Sequence, residues 1–110
     1  MKLTRMVAAT ITAVTVAVGG FAAPAFAGGN FQTTTDVNLR VCQWLNNSQC
    51  TVKYTLPKGT TVYLNCWATG SSVNGVSVWY NAFYGSDSGM LTGAYVNTGH
   101  DPNPAVGQCF

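Results

Sequence analysis

Six aromatic side chains, Trp44, Trp67, Trp79, Tyr80, Tyr84 and Tyr95, are the residues of this 110-residue chain best equipped for chemistry. That chemistry is binding. An aromatic ring offers a flat apolar face with a polar edge, which suits a neutral ligand. Trp44, Trp79, Tyr84 and Tyr95 are the candidate ligand-binding residues, and a patch combining Trp44 with Trp79 or Tyr95 is the sharpest form of the expectation. The competing role for each is to fill or cover a small core. Catalysis has thin support. His100, the single histidine, stands beside Asp101, but a triad needs an acid that reaches the far nitrogen of the imidazole, and a chain neighbour in a Pro-rich tail is badly placed for that. Asp36, Asp87 and Asp101 are scattered rather than paired for acid–base work, and the glycines are isolated rather than gathered in a phosphate-binding loop. No catalytic residue, cofactor or enzyme activity is expected.

Cys42, Cys50, Cys66 and Cys109 follow one another at intervals of 8, 16 and 43 residues. Zinc would want close Cys-x-x-Cys pairs, so no metal site is expected and two disulfides are. Of three possible connectivities, Cys42 with Cys50 and Cys66 with Cys109 is favoured. The first closes a small loop around Trp44, and the second ties the C-terminal segment to the middle of the chain. On the chain-entropy argument these bridges would contribute roughly 2.6 and 4 kcal/mol.

Such cross-links belong to an oxidising compartment, and the N-terminus reads as the means of reaching it. Lys2 and Arg5 precede an uncharged apolar stretch from Met6 to Gly20, and Ala25-Phe26-Ala27 is a small-x-small cleavage site, so residues 1–27 are expected to be a signal peptide cut between Ala27 and Gly28. The apolar run is too short, too rich in threonine and too broken by Gly19-Gly20 and Pro24 for a membrane anchor. The formal charge of +2 resides in this leader. Beyond it Arg40, Lys53 and Lys58 balance the three aspartates, which leaves no basic surface for nucleic acid or for an anionic membrane.

The elements that must hold the aromatics are strands. Apolar residues alternate at Val37/Leu39/Val41, Val52/Tyr54/Leu56, Val62/Leu64/Cys66 and Val76/Val78/Tyr80, the period of a sheet with one buried face. On that pattern Trp79, Trp67 and Tyr63 face outward. Leu56-Pro57-Lys58-Gly59 and Asn74-Gly75 supply turns, and a last short strand is expected at Ala94–Asn97. No segment beyond the leader has a helical period. The fold class is all-β, a small, partly open barrel of five to six strands spanning 35–98, with a flexible arm at 28–34 and a tail at 99–110 tied down by Cys109. Arg40 is expected in a surface ion pair, and Asn38 in a structural role.

The succession Val37-Asn38-Leu39-Arg40, Tyr54-Thr55-Leu56-Pro57-Lys58-Gly59-Thr60-Thr61-Val62, Val78-Trp79-Tyr80 and Gly89-Met90-Leu91-Thr92-Gly93-Ala94-Tyr95-Val96-Asn97 resembles the bacterial SH3-like (SH3b) domain, in particular small secreted actinobacterial members. The resemblance covers residues 35–98. It implies an SH3-like barrel and attachment to cell-wall peptidoglycan or its peptide. The family's Ser-Gly-Pro-Ser loop is replaced here by Cys42-Gln43-Trp44, and its Gly-Trp pair by Gly89-Met90. The expected function is that of a secreted, non-catalytic binder of cell-wall peptide or glycan, or of a surface or secreted protein. The alternative is an inhibitor of an extracellular hydrolase such as a protease or amylase, since the cysteine and aromatic content also resembles that of actinobacterial α-amylase inhibitors.

Overall fold

The computed structural model describes residues 27–110; the signal-peptide reading of 1–27, Ala27 apart, lies outside the described residues. The described residues are all-β, a curled half-barrel of six antiparallel strands cross-linked by two disulfides. In chain order the strands are β1 (Gly29–Gln32), β2 (Val37–Arg40), β3 (Val52–Leu56), β4 (Thr61–Val73), β5 (Val76–Tyr84) and β6 (Asp87–Thr92). A 3-10 turn follows at Gly93–Tyr95 and a two-residue strand β7 at Gly107–Gln108. Across the sheet the order is β1-β4-β5-β6-β2-β3, and β7 runs parallel to β4. Among the described residues no helix is long and apolar enough to cross a membrane.

The Asn74-Gly75 turn joins β4 to β5 as expected. Both residues have positive φ, 50° and 81°, the geometry whose twist matches that of the flanking strands. The main core lies inside the curl and is built from Val37, Leu39, Leu56, Val62, Leu64, Tyr80, Ala82, Leu91, Val96 and Val106. Alternation placed Val37, Leu39, Leu56, Val62, Leu64 and Tyr80 there. It fails where the ladder slips. Between Leu64 and Cys66 the pairing with β5 shifts by one residue, a bulge at Asn65 that exchanges the faces beyond it. Trp67, expected outside, therefore packs against the main core, while Ala68 turns to the outer face with Trp79 and Met90. A second slip between Leu39 and Arg40 ends the β2 pattern, and Val41 is exposed. In β3 only Leu56 is buried, because this edge strand overhangs the core.

Both ends of the described residues are more ordered than expected. Residues 29–32 of the supposed flexible arm form β1 against Thr61–Leu64, and Gly28 N donates to Ala105 O at 2.9 Å. The tail folds back so that Val106 plugs the core, β7 lies beside Cys66 and Trp67, and Cys109 N donates to Trp67 O at 2.8 Å. β1 and β7 thus share the same edge of β4, one after the other. In place of a strand at Ala94–Asn97 there is the 3-10 turn, capped by Thr92 Oγ1, which accepts from Ala94 N at 3.1 Å. A single bridge from Val96 to Thr33 follows.

Candidate functional site

The disulfides are Cys42–Cys50 and Cys66–Cys109, the favoured pairing, and such bonds point to a non-cytoplasmic protein. The small loop they define lies across the outer face of the sheet and is held at three places. Within it, Asn46 O accepts from Cys50 N at 2.7 Å, and Asn46 Oδ1 accepts from Ser48 N at 3.0 Å. Across the sheet, Gln43 O accepts from Ser71 N at 3.0 Å, and Leu45 N donates to Ser71 Oγ at 3.0 Å. From below, Arg40 Nη1 donates to Asn47 Oδ1 at 2.8 Å and to Cys50 O at 3.0 Å. The close passage depends on Gly70, since a Cβ there would collide with Gln43 O and stand 2.8 Å from Trp79 Cδ1.

This cover corrects the expectation for Trp79. The side chain does point to the face opposite Tyr80, but the loop roofs that face, and Trp79 is 1 % exposed. Its indole Nε1 donates to Ser71 O at 2.7 Å, so the one polar atom of the ring is satisfied under the roof. Arg40 is corrected as well. It makes no ion pair among the described residues, is 8 % exposed, and clips the loop from beneath. Asn38 has the expected structural part, its Oδ1 accepting from Thr55 Oγ1 at 2.9 Å.

Beside the roof, an apolar cleft of about 240 Å³ opens between the loop, the β4–β5 hairpin, the 3-10 turn and β2. Leu45 forms the loop wall, Val73 the hairpin wall, Tyr95 the turn wall, and Val37, Asn38 and Arg40 the β2 wall, with Trp79 and Thr92 also lining it. The Tyr95 hydroxyl accepts from Asn74 Nδ2 at 3.3 Å, which ties turn to hairpin. The cleft therefore unites two of the candidates, Trp79 and Tyr95. Trp44 is not in its wall; it is half-exposed next to Leu45 on the loop, so the apolar surface continues from the cleft over Leu45 and Trp44.

Tyr84 lies elsewhere. Its ring packs edge-on to Tyr54 at 5.7 Å between centroids, next to a clamp in which Asp87 Oδ1 accepts from Lys53 Nζ at 2.8 Å and Asp87 Oδ2 from Tyr54 OH at 2.9 Å. The Lys53 ammonium, with help from the Ser88 amide and the Tyr54 hydroxyl, holds the Asp87 carboxyl down at about 2, and the same carboxylate pushes the Tyr54 phenol above its ordinary value. Leu45, Val73 and Arg40 were not singled out as ligand contacts. The signal that could have found them is the position of each beside a constrained segment: Leu45 inside the Cys42–Cys50 loop, Val73 ahead of Asn74-Gly75, and Arg40 just before Cys42.

His100 is exposed, and its Nδ1 lies 3.0 Å from Pro102 O. Asp101 turns away from it. Its Oδ1 accepts from Tyr80 OH at 2.7 Å and from Thr98 Oγ1 at 2.6 Å, and Tyr80 OH in turn accepts from Asn103 N at 2.9 Å. Burial, together with the neighbouring carboxylate, pushes the Tyr80 phenol far above its ordinary value. Among the described residues no group of three His, Cys, Asp or Glu side chains is arranged to hold a metal. No family model matches this chain, and comparison with curated proteins finds no match either.

Proposed function

We propose that this chain is a secreted binding protein of the SH3b type that attaches to peptide or glycan of the bacterial cell wall through the cleft beside the Cys42–Cys50 loop. The observation that carries the reading is the cleft itself: a concave apolar surface with a few polar groups at its rim, continued by the exposed Trp44 and Leu45 on a loop already fixed by a disulfide and cross-sheet hydrogen bonds. A loop held in one shape loses little conformational entropy when a ligand docks. The placement of Asp101 on Tyr80 and Thr98 rather than on His100 also favours binding over hydrolysis.

The test is co-sedimentation of the protein lacking residues 1–27 with purified cell-wall sacculi. Retention is expected, with clear weakening in Trp44→Ala and Tyr95→Ala. Full recovery of the unmutated protein in the supernatant would refute the reading. A second reading, inhibition of an extracellular protease or amylase, is favoured by one observation, the projection of two large apolar side chains from a cross-linked loop. It predicts enzyme inhibition that Trp44→Ala abolishes, with no retention on sacculi.

A further inference from the structure

Beyond the leader the chain has three cations and three carboxylates, and the structure distributes them unevenly. Lys53 is paired with Asp87. Asp36 accepts from the Lys58 backbone amide at 2.9 Å, and Asp101 is engaged by Tyr80 and Thr98. Lys53–Asp87 is the one ion pair among the described residues. Arg40, the most deeply buried of the three cations, has no counter-charge there. Its hydrogen bonds, both from Nη1, go to neutral oxygens of Asn47 and Cys50.

A guanidinium carries five N–H donors. The two on Nη1 are engaged by the loop, while Nε–H and both Nη2 hydrogens have no acceptor among the described residues. A buried cation in this condition is costly unless something completes it, and Arg40 forms part of the wall of the cleft, among Val37, Leu45, Val73 and Trp79. Apolar surroundings strengthen any charge interaction made there.

We propose that the cleft receives the free C-terminal carboxylate of a short peptide, with the Nε and Nη2 side of Arg40 as a two-pronged donor and the apolar walls around the last one or two small side chains. Charge complementarity selects the carboxylate. Size selects a terminus, because the cleft of about 240 Å³ lies below the usual range for sites that enclose larger ligands, about 300–1,000 Å³. The inference rests on the reading of the cleft as the binding site and names the chemistry it recognises.

The experiment compares N-acetyl-alanyl-alanine as free acid with its C-terminal amide, in L and D forms, by NMR titration of the protein lacking residues 1–27. The acid of at least one enantiomer is expected to shift the Trp79 indole and Arg40 Nε–H signals, and to bind roughly ten- to hundred-fold more tightly than the amide. Equal affinity for acid and amide, binding that leaves both signals still, or no binding by either acid overturns the proposal. Arg40→Gln should abolish the preference for the acid. Because that change also unclips the loop, Asn47→Ala serves as the companion: it loosens the same clip but keeps the charge, and should retain the preference. Retention on sacculi with no acid preference overturns the carboxylate site and leaves wall binding standing. Acid preference without retention does the reverse.

Discussion

Tyr80→Phe removes one oxygen from the best-buried polar group of the main core. Tyr80 is 0 % exposed, and its hydroxyl both donates to Asp101 Oδ1 and accepts from Asn103 N. A hydrogen bond to a charged group contributes about 1.5–3 kcal/mol, and the stranded Asn103 amide adds to the cost of its loss. Asp101 keeps Thr98 Oγ1 as a donor, which limits the damage. The expected cost at pH 7 is about 2–3 kcal/mol, or roughly 10–20 °C in Tm for a domain of this size. The pH dependence is more diagnostic. The folded phenol is held far above its ordinary value, whereas in the unfolded chain it titrates at about 10. The folded state keeps its proton where the unfolded state releases it, so the stability linked to this proton is fully present below pH 10 and falls above it, by about 1.4 kcal/mol per pH unit. The phenylalanine variant has no such proton. Its deficit against the parent should shrink by about 1.4 kcal/mol between pH 7 and pH 11, and the titration of Tyr54, common to both proteins, cancels. Urea unfolding followed by tryptophan fluorescence at the two pH values measures this, and a deficit that stays constant would refute the assigned role of the hydroxyl.

Three further outcomes are expected. Gly70→Ala should lift the loop from β4 at a cost of about 2–3 kcal/mol and speed hydrogen exchange at the Trp79 indole; an unchanged exchange rate would mean that the loop does not roof Trp79. The Asp87 carboxyl, followed by NMR, should titrate at about 2, so its clamp on Lys53 is intact above pH 4 and released as pH falls through that midpoint. Lys53→Met combined with Tyr54→Phe should return it towards about 4, and no movement would show that the clamp does not set it. Replacing Cys66 and Cys109 together with alanine should cost roughly 4 kcal/mol and free β7, whereas removing Cys42 and Cys50 should cost roughly 2.6 kcal/mol and act mainly on the cleft; comparison of the two double variants by urea unfolding and amide exchange separates them.

The buried face of the sheet was legible wherever the ladder runs in register. Val62, Leu64 and Tyr80 alternate with polar or amphipathic neighbours and lie in the core. Trp67 was not legible, because one unpaired residue at Asn65 exchanges the faces and leaves no mark in composition. Trp79 shows a different limit. Alternation says to which face a side chain points; whether that face meets water depends on what folds over it, here a loop whose path is set by Cys42–Cys50, Gly70 and Ser71. The cysteine spacing made the loop visible but not its direction. For Arg40 the expectation was a surface ion pair, since nothing local indicates that its neighbours will be neutral oxygens. The site was legible only in its aromatic content, because the cleft is formed by three stretches, 37–45, 73–79 and 92–95, that are separated in the chain.

The succession of β1 and β7 along one side of β4 limits how copies of this protein can meet. That side is taken by β1 from Thr61 to Leu64 and by β7 at Cys66 and Trp67, and just past the end of β1 Thr33 bridges to Val96. The path of the sheet ends on β1 and β3, so among the described residues these two strands carry its outer margins. Both are short, Gly29–Gln32 and Val52–Leu56, and short edge strands blunt backbone pairing between molecules. β3 also carries Lys53, a charge on the edge of the kind that works against strand-to-strand pairing of copies.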